Sequence, residues 1–137
     1  MGSKIVVTGF GVITALGDNV ASNRDALISG RCGITSLELF SSKYSEHLRF
    51  GEVKMTNDVL KQKLGVRDKG VTRTTLLAMH AFEEAIQSSG LTRQELASYD
   101  TALIGANTVG GMCLTDELYH DANNDKEGSE YLSSYDI

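Results

Sequence analysis

The chain has 137 residues, 13 basic and 18 acidic, giving a net charge of −5, with 41% hydrophobic and 23% charged residues. This length suits one ordinary domain, and the composition is globular rather than disordered. The acidic balance argues against general nucleic-acid binding, which needs a basic excess, and no apolar run approaches the ~18–20 residues of a membrane span.

Residues 4–8 (Lys-Ile-Val-Val-Thr) are a short β-branched run, which predicts a buried strand. Gly9 and Gly11 then predict a tight turn or a close approach of two backbones, since glycine carries no Cβ. Asn19 can cap a helix over residues 20–29, with Val20, Leu27 and Ile28 apolar and Gly30 at the position that follows the C-cap. Residues 31–56 read as a long excursion with short elements, packed by Phe40, Tyr44, Leu48 and Phe50.

Residues 71–89 carry the strongest helical signal: Leu77, Ala81, Ala85 and Ala78, Phe82, Ile86 follow three- and four-residue spacing. Glu83, Glu84 and Gln87 lie off that stripe, and the small Ala81 and Ala85 permit close approach of another element. Gly90 ends the helix, and Thr92-Arg93-Gln94-Glu95 is a capping box for a short one after it. Residues 101–106 predict a second buried strand, residues 107–111 a turn, and residues 112–121 a further helix. Residues 123–136 are polar and acidic and read as loop.

Strands alternating with helices point to the α/β class with a mainly parallel sheet. Two strands do not make a sheet covered on both faces. Residues 1–137 are therefore expected to be incomplete as an independent unit, and the closing Ser133-Ser134-Tyr135-Asp136-Ile137 reads as cut rather than finished.

Several motifs fail their context. Gly9-Phe10-Gly11 opens like a dinucleotide fingerprint, but Thr14 stands where the third glycine belongs and the helix starts near Asn19. Gly105 to Gly111 has the glycine step of a phosphate loop, but Met112 and Cys113 replace the lysine and hydroxyl residue. His47, His80 and His120 are isolated and read as structural, and no Cys/His cluster suggests a metal. Cys32 and Cys113 read as reduced, mostly buried structural thiols, with the cytoplasm as the default compartment. Lys61, Lys63, Arg67, Lys69 and Arg73 surround one acid, Asp68, a local charge of +4 that leaves −9 on the rest of the chain. Such a run is either a solvated face or a docking patch for an acidic partner.

The stretch Ile5-Val6-Val7-Thr8-Gly9-Phe10-Gly11-Val12-Ile13-Thr14-Ala15-Leu16-Gly17 resembles the opening strand and turn of β-ketoacyl-[acyl carrier protein] synthases. The likeness continues through Leu27, Gly30, Gly33 and Ile34, through Ala85, Gly90 and Leu91, and through Ile104-Gly105 and Val109-Gly110-Gly111. Cys32 stands at a usual Ser and Asn23 where many members have Trp. The resemblance spans nearly the whole chain and implies the N-terminal part of a thiolase-like fold, the beginning of its first βαβαβ half.

It also implies a decarboxylative Claisen condensation that needs no metal or redox cofactor, in fatty acid or polyketide synthesis. The family's catalytic Cys and two His residues lie beyond the segment matched here, and Cys32 and Cys113 fit neither its turn nor its position. No catalytic residue is therefore carried over. Val109, with Gly110 and Gly111, matches a wall of the acyl pocket, and Arg67, Lys69 and Arg73 lie near the segment that docks acyl carrier protein. The full-length form is expected to be a homodimer or a ketosynthase-like heterodimer. Two rival readings stay open: a non-catalytic partner subunit of the chain-length-factor kind, and a small-molecule or nucleotide binding domain using residues 9–17.

Overall fold

The computed structural model describes residues 4–40, 42–98 and 101–124. It shows helices α1 (Val20–Ile28), α2 (Asn57–Leu64), α3 (Arg73–Ser89), α4 (Arg93–Ser98) and α5 (Met112–Asn124).

Local chemistry explains their limits. The Asn19 side chain accepts the Ser22 N–H at 2.8 Å and the Ser22 hydroxyl returns to the Asn19 backbone, so α1 opens on a reciprocal cap. Gly30 follows its C-cap with φ of 66°. Thr56 and Thr72 cap α2 and α3 one way only, their hydroxyls accepting the N–H of Val59 and of Thr75, and both helices end on left-handed glycines, Gly65 and Gly90. Before α4, the Thr92 N–H and hydroxyl both donate to Glu95, and these bonds hold the Glu95 carboxyl below its usual range. Helix α2 was not foreseen, since its residues read as part of a basic run.

The predicted strands are not formed. Residues 4–8 and 101–106 have no ladder among the described residues, where the pairings are two isolated bridges, Thr14 with Gly17 and Thr35 with Phe50. Ile5 is 100% exposed and Ile104 92%. The β-branched pattern supplies strand propensity, but a strand exists only with a neighbour to complete its hydrogen bonds.

The core is small. Among the described residues its buried apolar side chains are Ala26, Leu37, Leu60 and Leu76, with Leu60 and Leu76 at 0% exposure where α2 packs on α3. The chain exposes 11051 Å², whereas a compact monomer of its 14.8 kDa exposes about 7000 Å². Much apolar surface therefore faces water.

The excursion over residues 31–56 is held differently from expectation. Phe40, Tyr44 and Leu48 are exposed instead of packing it. A buried carboxylate does the work: Glu52 accepts the N–H of Glu38 at 3.0 Å and of Leu39 at 2.9 Å, and Lys54 Nζ sits 2.8 Å from it. Burial pushes the Glu52 carboxyl up, but the Lys54 hydrogen bond, the two amides and the Lys54 charge outweigh this and leave it below its ordinary 4.5. A depressed carboxyl stabilises the fold above its unfolded value, and that contribution disappears as pH falls through the lower native value. Glu52→Gln is therefore expected to lower stability at neutral pH by about 1–3 kcal/mol. It should also flatten the loss of thermal stability below pH 4.5, read as Tm against pH by circular dichroism. An unchanged pH profile would contradict this account.

Candidate functional site

The glycine-rich segment over residues 9–20 lies directly on α3. A Cβ built on Gly9 would stand 2.3 Å from Ala85 O, and one on Gly11 1.9 Å from Ala81 O. Only glycine permits this contact, and the small Ala81 and Ala85 mark where it falls on the helix. The close backbone approach read from these residues is thus observed, with α3 as the partner.

Three side chains of α3 bind the segment. Ser88 Oγ accepts the Phe10 N–H and donates to Phe10 O, each at 3.0 Å. The Glu84 carboxylate accepts the Val12 N–H at 2.9 Å and the Val20 N–H at 2.7 Å. The second of these amides belongs to the first turn of α1, where a negative charge also meets the helix dipole favourably. His80 Nε2 lies 2.8 Å from Asp18 O. A carbonyl only accepts, so the imidazole proton sits on Nε2. His80 thus holds the turn through a backbone carbonyl, and Glu84 is half-buried and faces the turn, not simply off the packed face.

Asn23 completes the turn. It is 7% exposed, its amide donates to Gly17 O and Asn19 O, and its oxygen accepts from the Thr14 hydroxyl. Arg31 reaches back to Leu16 O at 2.6 Å.

Two hollows flank this arrangement. A polar cleft of about 440 Å³ is lined by Asp18, Lys63, His80, Glu83, Glu84 and Arg93, among others. Within it Lys63 pairs with Asp18 at 3.5 Å and Arg93 with Glu83. An apolar groove of about 1030 Å³ runs along α1 past Phe10, Leu16, Leu27, Ile28 and Ile34. Cys32 opens onto this groove and is exposed, contrary to the expectation of a buried thiol. The reason is that the face beside it is uncovered.

The basic run divides. Arg67 and Lys69 are exposed on the connection between α2 and α3. Arg73 is half-buried, and its guanidinium donates to Val53 O at 2.8 Å, Met55 O at 2.9 Å and Asn57 Oδ1 at 2.8 Å. It ties the residues before α2 to the start of α3. In the 107–111 turn, the Gly110 N–H donates to Asn107 Oδ1 at 3.0 Å, Gly111 has φ of 82°, and Val109 is 64% exposed. A Cβ built on Gly111 would stand 3.8 Å from Thr72 Cγ2, so the turn lies by the start of α3 next to Arg73.

Among the described residues, no cluster of His, Cys, Asp and Glu could hold a metal, and no helix is long and apolar enough to cross a membrane.

The family described as "Beta-ketoacyl synthase, N-terminal domain" matches residues 2–135. The chain belongs to the β-ketoacyl synthase family. Its fold class is accordingly the thiolase-like one, of which the described residues form the helices and the turns but no sheet. The chain is 28% identical over 124 residues to the chloroplastic 3-oxoacyl-[acyl-carrier-protein] synthase II of Arabidopsis thaliana, covering 87% of this chain and 22% of that protein. It is 25% identical over 136 residues to 3-oxoacyl-[acyl-carrier-protein] synthase 1 of Buchnera aphidicola, covering 96% and 32%. It is 26% identical over 119 residues to 3-oxoacyl-[acyl-carrier-protein] synthase 2 of Coxiella burnetii, covering 85% and 28%. No solved structure matches the chain significantly. The ketosynthase segment thus spans between 22% and 32% of the length of these curated relatives.

Proposed function

We propose that the chain is the N-terminal part of a 3-oxoacyl-[acyl carrier protein] synthase and that by itself it is inactive. The observation that carries this reading is the family match over residues 2–135, together with relatives whose names all specify that activity. The reaction joins an acyl thioester to a malonyl thioester with loss of carbon dioxide. It needs a thiolate nucleophile activated by its surroundings. Neither cysteine is suited to that role. Cys32 is exposed beside an apolar groove, and Cys113 stands outside the family's nucleophile turn.

In this reading the chain contributes scaffold, pocket wall and docking surface. Val109, Gly110 and Gly111 line the acyl chain's path in the complete enzyme. Acyl carrier protein docks at Arg67 and Lys69, whose exposure leaves their charge available. Arg73 supports that surface from behind through its bonds to Val53 O and Met55 O. An acidic partner is steered by such a patch mainly through its association rate.

The test is direct. The purified chain, given acyl and malonyl thioesters of carrier protein, should form no 3-oxoacyl product above a mock preparation. Carrier protein should nevertheless bind it, more weakly as salt rises, and Arg67→Glu with Lys69→Glu should weaken binding by about tenfold or more. Product from the purified chain would refute the inactive reading, and an unchanged affinity in the double variant would refute the docking surface.

A further inference from the structure

We propose that Asp18 is a specificity-determining residue of the carrier-docking surface: it pairs with Lys63 and so withholds one cation of the basic run from an acidic partner. The proposal rests on the docking reading above, to which it adds a restraint supplied by the glycine turn.

The cations between positions 61 and 73 are placed differently. Arg73 is engaged by Val53 O, Met55 O and Asn57. Lys61 Nζ donates to Lys69 O at 3.3 Å, which folds the connection after α2 back on the helix and leaves the charge uncancelled. Asp68, the acid within the run, accepts the Gly70 N–H at 2.9 Å. Lys63 stands two positions from Lys61 and so faces another side of α2. There its Nζ lies 3.5 Å from Asp18 Oδ2, at the polar cleft beside α3. Among the described residues Lys63 is the one member of the run paired with a carboxylate.

Asp18 is held for this contact. Asn19 Nδ2 donates to its Oδ1 at 3.0 Å, which leaves Oδ2 for Lys63. His80 Nε2 donates to its carbonyl at 2.8 Å and fixes the residue to α3. An exposed ion pair is weak chiefly because two side chains must be ordered to make it. Here the carboxylate is ordered already, so the pair forms although both partners are nearly half exposed. It does not lock the lysine away, since 3.5 Å is long for a charge-assisted bond, which is nearer ~2.8 Å. A partner dense in carboxylates can take Lys63 over from Asp18, and a weakly acidic one cannot. Asp18 therefore raises the negative charge that a partner must carry before Lys63 joins the contact, a discrimination made by competition within the chain.

Calorimetric titration of the full chain with acyl carrier protein at low salt tests this. Asp18→Asn is expected to tighten binding by about three- to fivefold, a gain that high salt erases. Lys63→Gln alone should cost less than about 1.5-fold, because Asp18 already cancels its charge, and this variant leaves the turn untouched. Added to Asp18→Asn, Lys63→Gln should remove the gain, a coupling that a double-mutant cycle reads directly. Asp25→Asn takes the same charge from α1 and should change the affinity by less than about 1.5-fold. Carrier protein that binds through Arg67 and Lys69 but is indifferent to Asp18→Asn overturns the proposal and leaves the docking surface standing. So does a gain that Asp25→Asn equals, or one that survives Lys63→Gln. Carrier protein that binds none of the variants removes the docking surface and the proposal together.

Discussion

Replacing Leu76 by alanine is expected to destabilise the chain by about 2–5 kcal/mol, enough to abolish its cooperative folding. Among the described residues Leu76 and Leu60 are fully buried, at 0% exposure, one from each of the helices that pack together. Removing three carbons from either loses their transfer free energy and leaves a cavity that neighbouring backbone fills only in part. The magnitude matters because so little else is buried. A native domain has about 5–15 kcal/mol in total, so a loss of this size is a large share of it. Leu76→Met keeps the volume and should cost less than about 1.5 kcal/mol. Urea unfolding followed by helical circular dichroism separates the two variants, and a Leu76→Ala midpoint equal to that of the unaltered chain would show that the α2–α3 contact is not the core.

Gly11→Ala should be nearly as damaging, at about 3 kcal/mol or more. Its new methyl would stand 1.9 Å from Ala81 O and 2.9 Å from Ala85 N. Both obstacles are main-chain atoms of a helix, so no rotamer change relieves them. The turn must lift away from α3, and the bonds from Phe10 and Val12 to Ser88 and Glu84 are lost with it. Gly105→Ala is the matched control, because a Cβ there meets no atom within 4 Å and should shift stability by no more than about 0.5 kcal/mol. If the two variants melt alike, the close approach of the turn to α3 is not a stabilising contact.

What could be read beforehand follows how local each signal is. Asn19, Thr92 and the glycines at 30 and 90 act within a few residues, and the helices they bound are where they were expected. The pairing of Gly9 and Gly11 with Ala81 and Ala85 was half legible: each pair announces a close approach, but neither names the other. Helix α2 was hidden because its lysines drew attention as a charge patch, although Thr56 at its start and Gly65 at its end are ordinary cap residues. The strands failed for the opposite reason. Their β-branched residues are a correct local signal for a structure whose hydrogen bonds need a partner strand. Glu84 was invisible as a binder of amides, since the groups it serves lie 72 and 64 residues earlier. The proposed pocket residues came from family likeness alone, whereas the docking residues were singled out by their charge and favoured by that likeness.

The Glu84 contact has a further consequence, in time rather than in space. The turn over residues 9–20 finds its acceptors on a helix that begins only at Arg73, and the Phe10 bond to Ser88 spans 78 positions. Closing such long loops costs entropy before any contact is gained, which slows the assembly of non-local structure. During synthesis, at about 5–20 residues per second, the glycine turn emerges first and waits several seconds for the helix that will hold it. Throughout that wait the apolar run at residues 4–8, which has no backbone partner among the described residues, stays open to solvent.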